Sequence, residues 1–247
     1  LTILTNKKLI GIRDPFGIRP LVIGKLNKSF VLASETCALD IIDAKFVREV
    51  ENGEIIIISD KGLESIKPFP RVKERSCIFE YIYFSRPDSI IKNTSVYEYR
   101  KNLGAELAKE SSIDSDLIIP VPDSGVPAAI GYSEKVKQSL ELGIIRNHYV
   151  GRTFIEPTQQ IRSFGVKSKH NINKTLIKNK SLVLIDDSLV RGTTSVKIVK
   201  MLYEAGAKEV HLRIASPQTF FAYKAASSHK STCSGVAEYL LMPYLSV

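Results

Sequence analysis

The stretch from Ser181 to Ala215 constrains the fold of this chain more than any other. SLVLI (181–185) is a short, branched, apolar run and reads as a buried strand. Ser195 to Ala205 has helical periodicity and stops near Gly206, and Val210 to Ala215 is apolar again. Strand, helix and strand in so short a span make a βαβ unit, which requires a parallel sheet and a right-handed crossover. Between the first strand and the helix lies DDSLVRGTTS (186–195), two adjacent acids followed by small polar residues. In open α/β sheets this is the junction where ligands gather.

The same alternation extends upstream. Val96 to Lys109 reads as an amphipathic helix, with Tyr99, Leu103 and Leu107 on one face. Leu117 to Val121 is a short strand, PDSG (122–125) a loop, and Gly125 to Val136 the next helix. Residues 1 to 70 have a different texture. Leu9–Arg13, Leu21–Gly24, Phe30–Ala33 and Glu54–Ser59 are short apolar runs separated by turn residues such as Asn27, Asn52-Gly53 and Lys61-Gly62. Lys67 to Arg75, with Pro68 and Pro70, marks a boundary. The expected organisation is a β-rich domain over 1–70, a connection over 71–95, an α/β domain over 96–216 and a divergent tail over 217–247.

The acid pair narrows the chemistry. A helix N-terminus offers free backbone N–H groups and partial positive charge, which suit a phosphate. Gly192 permits close approach of the backbone, and Thr193, Thr194 and Ser195 add hydroxyls and cap the helix. Acid beside a phosphate cradle is repulsive unless the ligand also carries hydroxyls or a cation. Asp186 and Asp187 would accept hydrogen bonds from a vicinal diol or hold Mg²⁺. A sugar phosphate satisfies both halves of the motif.

Charge agrees with an anionic ligand. The net charge is +9, and between Arg146 and Lys180 eight Lys or Arg face a single acid, Glu156. Aromatic residues do not interleave with this run and no nucleic-acid module is visible, so nucleic acid is not an expected partner. No apolar stretch approaches the roughly 20 residues that span a bilayer, so no membrane is expected and the chain is read as cytoplasmic. Cys37, Cys77 and Cys233 are too few and too far apart for a disulfide framework or a zinc site. Hydrophobic content of 44% supplies a sizeable core.

DDSLVRGTTS resembles the phosphoribosyl-diphosphate (PRPP) loop of type I phosphoribosyltransferases. The wider chain is similar to the amidophosphoribosyltransferase family within that group. The stretches that carry the likeness are GIRDPFGIRPLVIGKL (11–26), ASETCALD (33–40), CIFEYIYFSRPDS (77–89), IIPVPDSGVPAAIGYS (118–133) and GRTFIEPTQQIRSFGVKSKHN (151–171), with DDSLVRGTTS itself. The resemblance implies a parallel-sheet phosphoribosyltransferase domain preceded by part of a β-rich N-terminal-nucleophile glutaminase. It implies transfer of an amino group to PRPP, giving 5-phosphoribosylamine and diphosphate with Mg²⁺, the first step of purine biosynthesis.

Carried over by residue, Asp186 and Asp187 would meet the ribose hydroxyls and the metal, and Ser188, Arg191, Gly192, Thr193, Thr194 and Ser195 would wrap the 5′-phosphate. Asp123, Ser124 and Gly125 would form the diphosphate loop, with Ser124 part of the metal site. Residues 151–171 resemble a flap that closes over PRPP, and Arg152 and Lys167 would act as the catalytic cations that neutralise the departing diphosphate. SRPDS (85–89) resembles the segment joining the two domains. A homo-oligomer is implied as well.

The likeness has limits. A glutaminase of this type needs an N-terminal cysteine, whereas this chain opens on Leu1 as if inside a domain, and the cysteine of SETC is not the nucleophile. Ammonia is therefore expected as the nitrogen donor in place of the glutamine used by the intact family, and the start is read as truncated. The segment after ASP (215–217) does not match the family. Some members carry an iron–sulfur cluster on four cysteines; Cys77 stands at one possible ligand position without matching partners, so no cluster is expected. The alternative to an ammonia-dependent enzyme is a PRPP-binding module or an inactive remnant.

Overall fold

The structure, a computed structural model, describes residues 1–147, 149, 169–190 and 192–217. The chain divides into two compact units, the first spanning Leu1–Tyr99 and the second opening at Arg100. No helix among the described residues is long and apolar enough to cross a membrane.

The first unit is built from short antiparallel strands: β1 (Thr2–Leu4), β2 (Leu9–Ile12), β3 (Val22–Leu26) and β4 (Ser29–Ala33), then one helical turn, α1 (Cys37–Asp40). β5 (Lys45–Glu49), β6 (Ile55–Ser59) and β7 (Gly62–Ile66) follow. They form two sheets, ordered β1-β2-β6-β7 and β4-β3-β5. Ile23, Phe30 and Leu32 of one sheet pack against Ile56, Ile58 and Leu63 of the other in a single apolar cluster. The opposite face of β3 carries Val22, which packs with Leu39 of α1 and Ala44. Residues alternate between the two faces because side chains in a strand repeat every second residue. Asn27, at φ 53, turns β3 into β4 as expected. A single π turn (Glu80–Phe84) and the strand pair β8 (Ile90–Ile91) and β9 (Thr94–Ser95) complete the unit.

The second unit is α/β. α2 (Val96–Glu110) crosses the division, followed by β10 (Leu117–Pro120), α3 (Val126–Val136), β11 (Ile144–Arg146) and β12 (His170–Ile172). One helical turn, α4 (Lys174–Ile177), then leads to β13 (Ser181–Asp186), α5 (Thr193–Glu204) and β14 (Glu209–Ile214). β10, β13 and β14 form a parallel sheet in that order. Leu117, Ile119, Leu182 and Leu184 face one way, against Ile198 and Leu202 of α5 and Ile144 of β11. Ile118, Val183 and Ile185 face the other way, against Ala128, Ala129 and Tyr132 of α3 and Ala108 of α2. A strand covered on both faces must be apolar at every position, which is why LIIP and LVLI run without interruption. Each fully buried Ile or Leu contributes about 2 kcal/mol through the hydrophobic effect.

The βαβ unit and the parallel sheet follow the sequence-based expectation. One local expectation changes. The last helix begins at Thr193 rather than Ser195, and its N-cap is Gly192, with no side-chain capping bond. Thr193, Thr194 and Ser195 therefore form the first helical turn instead of capping it. Gly192 at φ 68 makes the sharp entry, a conformation that a residue with a Cβ adopts only at a cost.

Candidate active site

Parallel strands deliver their C-terminal ends to one edge of a sheet, and that edge here carries the expected residues. PDSG leaves β10, DDS leaves β13, and Ala215, Ser216 and Pro217 leave β14. The Val121 amide donates to the Ile185 carbonyl at 2.8 Å, so the first loop starts beside the acid pair. Gly125 tightens that contact. A Cβ there would stand 2.5 Å from the Ile185 carbonyl oxygen, leaving room only for glycine. Its small size thus serves the approach of loop to strand. The Gly125 amide donates to Val121 O at 2.9 Å and the Val126 amide to Asp123 O at 3.3 Å, closing PDSG into a compact turn. The Pro122–Asp123 peptide is cis.

Asp186 and Asp187 are buried, 7% and 6% exposed, which is a costly setting for carboxylates. The Asp187 amide donates to Asp186 Oδ1 at 2.9 Å, and the Ser188 hydroxyl donates to Asp187 Oδ2 at 2.7 Å. Their backbone carbonyls accept from the amides of Ala215 and Ser216, each at 2.9 Å. The pair is thus fixed between β10 and β14. Among the described residues, neither acid forms an ion pair with Lys or Arg. Burial, and then the neighbouring Asp187 charge, pushes the Asp186 carboxyl well above the usual carboxylate range. Two buried acids with unspent charge suit a divalent cation or hydroxyl donors. No cluster of three or more His, Cys, Asp or Glu able to hold a metal occurs among the described residues. Two protein carboxylates fit Mg²⁺, which commonly takes its remaining oxygens from substrate and water.

Ser195 is buried and Thr193 and Thr194 are exposed, all in the first turn of α5. The first amides of a helix lack partners within it, so this turn presents donors at the edge where the acids lie. Ser188 is half-buried beside Asp187, while Ser124 is half-buried and Asp123 exposed in the PDSG turn. Arg152, Lys167 and Arg191 lie outside the described residues. A cleft of about 510 Å³ in the first unit is lined by Arg13, Glu51, Lys67 and Phe69 among others, and by none of the expected site residues.

One neighbour of the site was not singled out by sequence. Arg146, at the end of β11, donates to the Asp123 carboxylate. Its place in a basic run gave no hint of this, because the pairing depends on where β11 lies.

SRPDS is accounted for within the first unit. Glu35 accepts from the Arg86 amide at 2.7 Å and the Ser89 hydroxyl at 2.9 Å, and the Thr36 hydroxyl accepts from the Ile90 amide at 2.8 Å. Arg86 and Asp88 pair with each other at 2.7 Å. The SETC and SRPDS motifs therefore hold one another.

No protein-family model matches the chain. Individual proteins do. The amidophosphoribosyltransferase of Rhizobium etli is 60% identical over 223 residues, covering 88% of this chain and 45% of that protein. The amidophosphoribosyltransferase of Bacillus subtilis is 50% identical over 215 residues, covering 87% and 45%. Among solved structures, the glutamine PRPP amidotransferase of B. subtilis complexed with ADP and GMP superposes with a TM-score of 0.80 at 49% identity, covering 88% of this chain and 48% of that one. The chain spans about half the length of the curated relatives it matches.

Proposed function

We propose, from the premise that this chain belongs to the amidophosphoribosyltransferase family over the 88% of its length that aligns, that it binds PRPP at the edge formed by β10, β13 and α5. There it transfers an amino group to the ribose, releasing diphosphate. The observation that carries this reading is the buried Asp186–Asp187 pair, which has no cationic partner among the described residues and lies beside a helix N-terminus. Acids accept the ribose diol, amides and hydroxyls of Gly192 to Ser195 hold the 5′-phosphate, and Ser124 meets the diphosphate.

As diphosphate leaves C1, positive charge grows on the ring and negative charge on the departing oxygens. Arg152 and Lys167 neutralise the latter. Mg²⁺, held by Asp186, Asp187 and Ser124 when bound, supplies charge neutralisation at the diphosphate. Residues 1–70 correspond to glutaminase-domain sequence of the family, and ammonia is taken as the nitrogen donor.

The test is diphosphate release from PRPP and Mg²⁺ by the purified chain, with ammonium chloride at alkaline pH or with glutamine. Release with ammonium alone supports the reading. Release with glutamine would refute the donor assignment, and failure to bind PRPP in calorimetry would refute the site.

A further inference from the structure

We propose that Arg146 is a positioning residue for the diphosphate loop, acting through Asp123; this rests on the reading of the site above. Asp123 and Ser124 are adjacent, so whatever fixes the Asp123 carboxylate fixes where the Ser124 hydroxyl stands. Asp123 is exposed and belongs to a turn whose own closures are the amide bonds of Gly125 and Val126. Its side chain is held from outside the turn, by the Arg146 guanidinium.

Arg146 is well placed to be the fixed partner. It is paired in antiparallel register with His170, as Ile144 is with Ile172, and those two isoleucines are buried in the core cluster behind the sheet. The guanidinium is thus anchored by β11 and β12 rather than by the loop that it holds. Its Nε is buried and has no hydrogen-bond partner among the described residues. An unmet buried donor weakens a fold, so the arginine is a poor choice for stability alone. A fork reaching an exposed carboxylate one residue before a ligand-binding serine is a good choice for setting a loop.

The test uses the full chain with Arg146→Ala, Arg146→Lys and Asp123→Asn, alone and combined. In ligand-free protein, protection of the Gly125 and Val126 amides from hydrogen exchange should fall about tenfold in Arg146→Ala, while amides of β13 keep theirs. Arg146→Lys, which retains the charge, should recover part of that protection. Unchanged protection in Arg146→Ala would overturn the proposal whatever the chain binds. Affinity for PRPP with Mg²⁺ should fall about tenfold in Arg146→Ala and in Asp123→Asn, and no further in the double variant, since both remove one interaction. Losses that add would mean that Arg146 meets the ligand directly. Loss of loop protection in a chain that binds no PRPP would leave the latch standing and refute the functional reading instead.

Discussion

Asp186 is expensive to keep. It is buried next to a second carboxylate, and the bonds it accepts, from the Asp187 amide at its side chain and from the Ala215 amide at its carbonyl, would survive in asparagine. Asp186→Asn should therefore raise the chemical-denaturation midpoint, by about 1–2 kcal/mol in stability, while abolishing Mg²⁺-dependent PRPP binding in calorimetry. A variant that lost stability would show that the carboxylate serves the fold instead. Glu54 is the reverse case. Burial alone would raise its carboxyl, but bonds from the Arg48 fork at 2.7 and 2.8 Å, the Ser65 hydroxyl and the Glu51 amide outweigh this and hold it at about 2. A depressed acid stabilises above its unfolded value, near 4.5, and that stability is lost as pH falls towards 2. The contribution is about 3 kcal/mol. Glu54→Gln should remove most of the pH dependence in that window, as read from urea midpoints at pH 6, 4 and 3.

At the scale of elements, α2 and α3 meet backbone to backbone at two glycines. A Cβ on Gly104 of α2 would stand 1.8 Å from the Ala128 carbonyl oxygen, and one on Gly131 of α3 would stand 1.8 Å from that of Lys101. Backbone cannot yield as a flexible side-chain tip can. Gly104→Ala and Gly131→Ala should each destabilise by about 3 kcal/mol or more, although alanine is the better helix former by about 1 kcal/mol. A neutral or stabilising result in thermal denaturation would mean that the helices stand further apart. Such elements differ in how legible they are. β10 and β13 are plain in sequence because burial on both faces demands unbroken apolar runs. β5 (KFVRE) is not, since its apolar Phe46 and Val47 are exposed while its charged Arg48 and Glu49 are half-buried, and β1 is exposed at every position. β11 and β12 pair across a long intervening segment, which no local pattern reports. The same division holds at the site. DDSLVRGTTS is readable because one strand–loop–helix junction contains it. The Arg146–Asp123 contact is hidden because strand placement alone creates it, and α5 starts two residues before the apolar periodicity implies because Gly192, not a hydroxyl side chain, makes the entry.

For the molecule as a whole, each apolar cluster among the described residues lies within one unit, either Leu1–Tyr99 or the residues from Arg100 onward. Glu54, whose carboxyl is held at about 2, lies in the first unit, and the buried pair Asp186 and Asp187 lies in the second. Two different perturbations should therefore act on different amides. Lowering the pH from 6 to 3 removes about 2 kcal/mol of the stabilisation centred on Glu54, so exchange should quicken first at β6 and β7, where Ile56 and Leu63 share the sandwich core. Adding PRPP with Mg²⁺ stabilises the state that binds it, by about 2.7 kcal/mol at a hundredfold excess over Kd, and should slow exchange in β13 and α5. Segment-resolved exchange by mass spectrometry reads both effects on one sample. Equal slowing of β6 and β13 by ligand would mean that the two units unfold as one cooperative body, and the separation of their cores would then have no thermodynamic consequence.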